Sequence, residues 1–473
     1  MNADLILAGL AASEPVRVAR AGVADPADLW IVGGAIRDAA LGGAVTDLDL
    51  ATSRDPGEIA REIAAAPAAA VFELSGEHGT WRVASHRGGW SIDIASLRGA
   101  TIEADLRLRD FTVNAIAGPI PGGQLLDPTG GLTDLDSTIL RACGPTSFAD
   151  DPLRIMRAAR LAAGLGLKID PATRRLAIEA AGRAAEPAGE RQFAELRGIL
   201  AGPDPIEGLR LLEELGAGAR VLPELVALRG VVQNANHHLD VHDHTIEVLR
   251  RLLEVEADLE RFAGDAAAGV RVLLDQPVGD GMTRREGMRF AAILHDVGKP
   301  ATRNEAAGMV SFKGHDRVGA EMLAEICRRF KTSRKSGAYL TQLTRDHLIL
   351  GFMVRERPLP RRRVWEYLRA TDPWSVDVTL LTIADRLSAR GLGVPEQAIE
   401  GHLGLAEEML AEALAWELDG PPEPLLRGDA LADALGIEPG EELGRMMREQ
   451  EAVLFAGEAS DREELLSRLA GLS

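Results

Sequence analysis

Three aspartates in the amino-terminal part of the chain are spaced so that they could bind a metal ion together. Asp47 and Asp49 lie in residues 46–51, where acidic and apolar residues alternate. This alternation predicts a strand, in which residues two apart point to the same face. Two carboxylates on one face repel each other unless a cation lies between them, and their oxygen atoms suit Mg²⁺. Asp93, which stands between two isoleucines, is expected to supply a third carboxylate from a neighbouring strand.

A glycine pair shortly before these aspartates favours a catalytic interpretation. On its own, an Asp-x-Asp pattern is more often a solvated strand face. Here the apolar run 29–32 leads into Gly33 and Gly34, and a helical pattern with Arg37 and Asp38 in its first turn follows at once. Glycines let the backbone approach a ligand closely, and the free N–H groups of a helix start favour anions such as a triphosphate.

A second group of metal-binding residue types lies in the carboxy-terminal half. His295 and Asp296 are adjacent in an apolar helical pattern. Neighbouring residues on a helix diverge by about 100°, so the two can share a ligand only if it is small and lies between them, as a metal ion does. Further candidate ligands and phosphate-binding groups lie before and after this pair: His244, Lys299, His315, His347 and Asp385.

The elements that must position these residues predict an α+β fold class with unlike parts. Short strand patterns and glycine turns predict a small α/β or α+β head over 1–149. Helical periodicity with proline and glycine stops predicts an all-helical neck over 150–235, a helical domain over 236–398 that contains the histidines, and a helical tail over 399–473. Residues 263–285, rich in alanine, glycine and aspartate, are expected to form a surface insertion.

Composition limits the class of protein. The 473-residue chain has 72 Asp and Glu against 53 Lys and Arg, a net charge of −19. This charge argues against a protein that coats nucleic acid, but not against one that binds RNA through a local basic patch. Cys143 and Cys327 are too far apart in sequence to suggest a disulfide framework and fit a reducing cytosol. We expect a cytoplasmic protein with no membrane partner, because no apolar run reaches membrane-spanning length.

Four motifs in chain order carry a family resemblance. Gly-Gly-x-x-Arg-Asp followed by Asp-x-Asp (residues 33–49) resembles the polymerase-β-type nucleotidyltransferases. Residues 109–115, 130–144 and 150–160 resemble the second motif, the flexible-loop motif and the base-reading motif of the class II tRNA nucleotidyltransferase and bacterial poly(A) polymerase family. The resemblance implies a polymerase-β-type head that uses Mg²⁺ in a two-metal displacement, with pyrophosphate leaving in line.

The resemblance also implies roles for individual residues. Asp47 and Asp49 would hold Mg²⁺, and Asp93 would complete that catalytic site or accept the proton. Other motif residues would bind the nucleotide: Gly33, Gly34, Arg37, Asp38, Arg109, Asp110, Asn114, Asp151, Arg154, Arg157 and Arg160.

The base-reading motif has a physical rationale of its own. Asp151 and Arg154 are three residues apart at a predicted helix start, so both side chains emerge on one face. A carboxylate accepts from an exocyclic amine and a guanidinium donates to a ring nitrogen. Cytosine and adenine both present that pattern, whereas uracil and guanine reverse it, so the pair could select C and A without a template. Arg157 and Arg160 would hold triphosphate or primer phosphates, or only form the helix's basic face.

The histidine and aspartate pattern resembles the HD phosphohydrolase superfamily, whose core ligands are His, His-Asp and Asp. The resemblance implies a divalent metal of unspecified identity held by four residues: His244, His295, Asp296 and Asp385. His315 and His347 match the extra histidines of members that bind two metals or a phosphate. Lys299 lies one helical turn beyond His295 and could meet a phosphate.

These resemblances predict an enzyme that adds C, C and A to the tRNA 3′ end from CTP and ATP, joined to a metal-dependent phosphohydrolase. A poly(A) polymerase, or an enzyme that adds only A or only C, stays open, although the acidic tail and the full HD ligand set favour tRNA. A phosphohydrolase whose head only binds nucleotide would not need Asp47 and Asp49. An RNA-binding scaffold would require both metal constellations to be accidents.

Overall fold

Six strands of the amino-terminal unit form one sheet in the order β3-β4-β5-β2-β1-β6. Their bounds are β1 (Leu29–Val32), β2 (Asp47–Thr52), β3 (Ala69–Ser75), β4 (Thr80–Ser85), β5 (Ser91–Ser96) and β6 (Ala117–Pro119). β2 and β5 run parallel, and the other neighbouring pairs are antiparallel.

The structure is a computed structural model that describes residues 2–65, 69–75, 79–86, 88–120, 122–391 and 393–471. The chain divides into two compact units, Met1–Val221 and Leu222–Ser473.

The centre of the sheet confirms the predicted alternation of acidic and apolar residues. In β2, Leu48 and Leu50 are buried whereas Asp47 and Asp49 lie on the opposite, exposed face. The parallel register pairs Asp49 with Asp93 of β5. Each fully buried Leu or Ile contributes roughly 1.5–3 kcal/mol, and a one-residue slip would turn the apolar residues out of the core. The core therefore fixes where the carboxylates stand.

Helices cover this sheet and continue beyond it. They are α1 (Ala3–Ala12), α2 (Glu14–Gly22), α3 (Gly34–Ala40), α4 (Pro56–Ala64), α5 (Ile102–Arg107), α6 (Gly131–Asp136), α7 (Ser147–Asp150), α8 (Leu153–Leu165), α9 (Pro171–Ala180), α10 (Gly189–Ala201), α11 (Pro205–Glu214) and α12 (Gly218–Val221). Asp-Pro sequences begin α4, α9 and α11, because the aspartate caps the first N–H groups and proline tolerates the first turn. A short parallel pair, β7 (Ile139–Leu140) and β8 (Lys168–Ile169), lies beside α8.

The carboxy-terminal unit is mostly helical. Its helices are α13 (Pro223–Val226), α14 (Val241–Ala257), α15 (Leu259–Ala263), α16 (Ala267–Leu274), α17 (Arg284–Leu294), α18 (Lys299–Thr302), α19 (His315–Arg329), α20 (Arg334–Asp346), α21 (Ile349–Met353), α22 (Arg361–Thr371), α23 (Ser375–Ser388), α24 (Glu396–Asp419), α25 (Gly428–Leu435), α26 (Glu441–Phe455) and α27 (Arg462–Ala470). Two hairpins interrupt them, β9 (Pro277–Gly279) with β10 (Met282–Thr283) and β11 (Asn304–Ala306) with β12 (Met309–Ser311).

The predicted surface insertion at residues 263–285 is wrong. This segment contains α16, β9 and β10, and Val270, Leu274 and Met282 are fully buried. The segment is therefore part of the core of the carboxy-terminal unit. None of the helices in the described residues combines the length and the apolar character needed to span a membrane.

Candidate functional site

The turn after β1 brings the backbone close to a candidate catalytic carboxylate. Gly33 adopts φ 75°, and a Cβ atom there would lie 3.2 Å from Oδ2 of Asp49. Both the positive φ and this close approach favour glycine. α3 begins at the next residue, as the strand-turn-helix pattern predicts.

A cavity of about 310 Å³ opens beside this turn. Eleven of the residues predicted from the motifs line it: Gly33, Gly34, Arg37, Asp49, Arg109, Asp110, Asn114, Asp151, Arg154, Arg157 and Arg160. Asp38 does not line it but accepts a hydrogen bond from Nε of Arg37 at 2.8 Å. The lining contains seven arginines against three aspartates, so the cavity attracts anions although the whole chain is acidic.

The three predicted catalytic carboxylates lie on two adjacent strands but are held differently. Asp49 lines the cavity, and Asp47 lies two residues before it on the same face, where its Oδ1 accepts from Ser91 Oγ at 2.8 Å. Both oxygens of Asp93 accept from Arg82, at 2.6 and 2.7 Å. Within the described residues, the three carboxylates do not bring one ligand atom each within 4.8 Å of one another.

The electrostatics around Asp49 are consistent with a cation site. Desolvation by the surrounding cavity lining, followed by the negative charge of Asp93, raises the pKa of Asp49, because both effects disfavour its charged form. Asp47 and Asp49 together offer the hard oxygen atoms that Mg²⁺ prefers. We conclude that these two residues fit the metal that the sequence implies, whereas Asp93 is engaged by Arg82.

A network of side chains connects the floor of the cavity. Nη1 of Arg37 donates to Oδ1 of Asn114 at 2.7 Å, and Nδ2 of Asn114 donates to Asp110 at 3.2 Å. Nε of Arg157 contacts Oδ2 of Asp110 at 2.9 Å. Burial opposes ionisation of Asp110, but the charge of Arg157 and the Phe111 N–H outweigh it and lower the pKa of Asp110. The carboxylate therefore stays ionised and holds Arg157 in place.

The two candidate base-reading residues have separate supports. Oδ2 of Asp151 accepts from Nη2 of Arg191 at 2.8 Å. Nη1 of Arg154 donates to Ser147 Oγ at 3.0 Å, and Nη2 donates to the Leu108 carbonyl at 3.0 Å. Each side chain is thus held from behind while it lines the cavity.

Three arginines at or beside the cavity fall outside the motifs. Arg98 and Arg191 line the cavity, and Arg82 binds Asp93. No sequence signal singled out Arg82, whose strand β4 pairs with the strand of Asp93 in the folded chain. For Arg98 and Arg191 the sequence carried none.

The histidine and aspartate residues of the carboxy-terminal unit form a second, buried cluster. Asp240 caps α14, which places His244 one turn into the helix, and a capping box formed by Thr283 and Glu286 begins α17, whose end carries His295. Nε2 of His244 lies 3.0 Å from Oδ1 of Asp385. The predicted core ligands therefore meet, although they come from three separate helical segments.

Asp296 lies at the centre of this cluster. Its Oδ2 lies 3.2 Å from Nε2 of His295, and its Oδ1 lies 3.3 Å from Nε2 of His315. Two groups of possible ligand atoms, each within 4.8 Å, share this aspartate: His244, His295 and Asp296 in one, and Asp296, His315 and His347 in the other. Nζ of Lys299 lies 2.6 Å from Asp296 and donates to Oε1 of Gln233 at 2.7 Å.

Backbone carbonyls set the orientation of the histidine rings. Nδ1 of His295, His315 and His347 contacts the carbonyl three residues earlier, at 2.9, 2.8 and 2.6 Å. This contact places the proton on Nδ1 and leaves Nε2 free to bind a metal. Burial lowers the pKa of His347 to about 4, so its ring is neutral at neutral pH, as a ligand must be.

Unsatisfied polar atoms show that the cluster suits a metal ion. Nε2 of His244, His295 and His315 is buried without a satisfied hydrogen bond among the described residues. Each such buried, unsatisfied atom lowers the free energy of unfolding by about 1–3 kcal/mol. Imidazole nitrogens with carboxylate oxygens form a donor set for a divalent transition metal.

Comparison with known proteins supports both parts. Family models match for the poly A polymerase head domain (residues 29–101 and 95–141), for a probable RNA and SrmB binding site of polymerase A (166–228) and for the HD domain (241–390). An A-adding tRNA nucleotidyltransferase of Deinococcus radiodurans is 35% identical over 93% of this chain and 94% of its own. A CC-adding tRNA nucleotidyltransferase of Thermus thermophilus is 33% identical over 93% and 92%.

Solved structures share the fold. A Thermotoga maritima CCA-adding enzyme, determined in complex with tRNA, superposes with a TM-score of 0.58 at 21% identity and covers 100% of this chain and 99% of its own. The match extends over both the strand-containing head and the helical remainder, as the predicted α+β fold class requires.

Proposed function

The chain belongs to the tRNA nucleotidyltransferase family with a poly(A) polymerase head and an HD domain, and on that premise we propose that it adds C, C and A to the tRNA 3′ end. CTP and ATP are the proposed substrates. This proposal rests mainly on the observation that Asp151 and Arg154 line the same cavity as Asp49. A base-selecting pair and a catalytic carboxylate would therefore face one bound nucleotide.

The positively and negatively charged residues of the cavity would bind different parts of the substrates. The arginines would hold the triphosphate, because guanidinium groups match phosphate oxygens in bidentate contacts. Asp47 and Asp49 would hold Mg²⁺, which when bound would acidify the RNA 3′-hydroxyl and neutralise the leaving pyrophosphate. Asp151 would accept from the exocyclic amine, and Arg154 would donate to the ring nitrogen. The network from Arg37 to Arg157 would position sugar and phosphate groups.

Addition of only A or only C is the second candidate function. Two relatives that match over more than nine tenths of both chains are named A-adding and CC-adding, at 35% and 33% identity. Their near-equal similarity favours neither specificity over the other. An A-adding enzyme would extend only tRNA that already ends in CC.

The test uses three tRNA transcripts, which end before the first C, after one C and after both. Each is incubated with CTP, ATP, UTP or GTP, then with CTP and ATP together, and the new 3′ ends are sequenced. The proposal expects CCA on the shortest transcript and no further extension. Extension of the CC-ending transcript alone would replace it with A addition, and a long A tail would indicate poly(A) polymerase. An Asp49→Asn variant is the control for contaminating activity.

For the carboxy-terminal part we propose a phosphohydrolase that acts on phosphomonoesters or 2′,3′-cyclic phosphates. His244, His295, Asp296 and Asp385 would hold a divalent metal, which when bound would act as a Lewis acid toward the phosphoryl group. The proposal assigns residues 1–149 to the head, 150–235 to an RNA-binding neck, 236–398 to the HD domain and 399–473 to the tail, in a cytoplasmic protein. Phosphate release, measured with each substrate and several divalent metals, tests it.

A further inference from the structure

The HD cluster adjoins two cavities of the carboxy-terminal unit. One has a volume of about 520 Å³ and contains Asp296 and Lys299. The second has a volume of about 310 Å³. His237, His347 and Asp385 line both. A substrate that binds at the cluster can therefore extend to either side.

Part of the lining of the smaller cavity is basic. Three side chains form this part of the lining: Arg355 of the 3-10 helix Val354–Glu356, Arg386 of α23 and His402 of α24. We name these three residues the basic chamber. Asp385 is the only carboxylate among the described residues that line this cavity. Apart from Asp385, which precedes Arg386 in sequence, no carboxylate in the described lining offsets the two positive charges.

The two arginines differ from their neighbours. Nearby arginines form ion pairs with glutamates, such as Arg357 with Glu408 and Arg363 with Glu356. In the part of the chain that the structure describes, Arg355 and Arg386 form no ion pair, and Nε of Arg386 is buried without a hydrogen-bond partner. Unpaired guanidinium groups at a cavity wall are free to bind an anion.

His402 supplies an independent sign of a ligand. Its residue surface is only 4% exposed, and its Nε2 has no hydrogen-bond partner among the described residues. Burial, followed by the charge of the adjacent Arg386, lowers the pKa of His402 to about 4. The ring is therefore neutral at neutral pH, with a buried polar atom at the cavity wall that needs a partner.

We propose that the basic chamber binds a second phosphate of the substrate, so that the HD site acts on nucleotides or RNA ends that carry two phosphate groups. This inference rests on the proposed phosphohydrolase function. One phosphate would lie at the metal-ligand cluster and be hydrolysed, while Arg355, Arg386 and His402 would hold the other. Because a nucleoside 3′,5′-bisphosphate carries phosphates on both sides of its ribose, we expect it to occupy both sites at once.

Steady-state hydrolysis compares adenosine 3′,5′-bisphosphate with adenosine 3′-monophosphate on the full-length protein. A charge-assisted contact should make the KM for the bisphosphate about tenfold lower than that for the monophosphate. In Arg355→Gln this KM ratio should collapse to about one. It should be preserved in Arg390→Gln, which changes an exposed arginine outside the cavity. A ratio that is near one in the unmodified protein, or unaffected by Arg355→Gln, would overturn the proposal.

A second measurement does not depend on hydrolysis. Phenylglyoxal modifies accessible arginines, and peptide mass spectrometry reports the extent at each one. Adenosine 3′,5′-bisphosphate should reduce labelling of Arg355 and Arg386 several-fold but not that of Arg390. If the protein hydrolyses neither nucleotide nor a 2′,3′-cyclic phosphate, the phosphohydrolase proposal fails, and protection still decides the basic chamber. Hydrolysis without protection would refute the chamber alone.

Discussion

Replacing Arg154 with alanine should weaken the choice of C and A over U and G. A guanidinium has five N–H donors. Nη1 donates to Ser147 Oγ at 3.0 Å and to the carbonyls of Arg109 and Ser147 at 3.3 Å, while Nη2 donates to Leu108 at 3.0 Å. The N–H of Nε and one hydrogen of Nη2 remain for a base. These donors suit the bare ring nitrogen of C or A and oppose the ring N–H of U or G.

The size of the effect follows from that contact. A good base-reading pair contributes about 1–3 kcal/mol of discrimination, and every 1.4 kcal/mol is tenfold. In Arg154→Ala, kcat/KM for CTP relative to UTP should therefore fall by roughly 5- to 150-fold. Both constants are measured on one truncated tRNA. Ser147→Ala is the matched control, because it removes one anchor of the guanidinium but no donor that faces the base. An active Arg154→Ala variant with unchanged discrimination would refute the assignment.

The remaining predictions concern the two metal-ligand sites and the core. Asp49→Asn should lower nucleotide addition by at least about 10³-fold, because metal-assisted charge neutralisation stabilises the transition state by several kcal/mol. Gel-shift assays should show unchanged tRNA binding. A variant that keeps its addition activity would contradict this prediction. His295→Ala should abolish hydrolysis of phosphomonoesters or cyclic phosphates and spare addition, and loss of both would mean that the HD cluster supports the fold. Arg284→Met should lower the stability of the carboxy-terminal unit by about 3–5 kcal/mol, because Asp377 and Glu417 would lose their buried partner. Calorimetry should then show a Tm drop of roughly 6–20 °C, and a shift below about 2 °C would count against the pairing.

Local patterns predicted β2 because one physical constraint sets both sequence and structure there. Leu48 and Leu50 must be buried, so Asp47 and Asp49 must face the other way. The glycine turn was predictable for a similar reason, because Gly33 has both a positive φ and a close approach to Asp49. Patterns of this kind involve residues that are close in sequence, so they can be recognised in a single sequence.

The supporting arginines were not predictable, because their partners are distant in sequence. Arg191 lies 40 residues from Asp151, with which it pairs. A lone arginine on a helix has the same local pattern whether it faces solvent or a cavity. The prediction of a surface insertion at residues 263–285 was wrong for another reason. Their alanine, glycine and aspartate content concealed Val270, Leu273 and Leu274, whose spacing is that of a buried helix face.

The anchoring of the arginines reconciles an acidic chain with a polyanionic substrate. Arg109, Arg157 and Arg160 are each held by a carboxylate, at 2.8, 2.9 and 2.6 Å, which orients the guanidinium but offsets its charge. Arg154 is held by backbone carbonyls and a hydroxyl, so its orientation is fixed while its full charge remains. A base-reading residue needs a fixed direction more than added attraction, and neutral anchors provide direction without drawing it away from the nucleotide. The arginines that we propose to bind phosphate would tolerate charged anchors because they would act together.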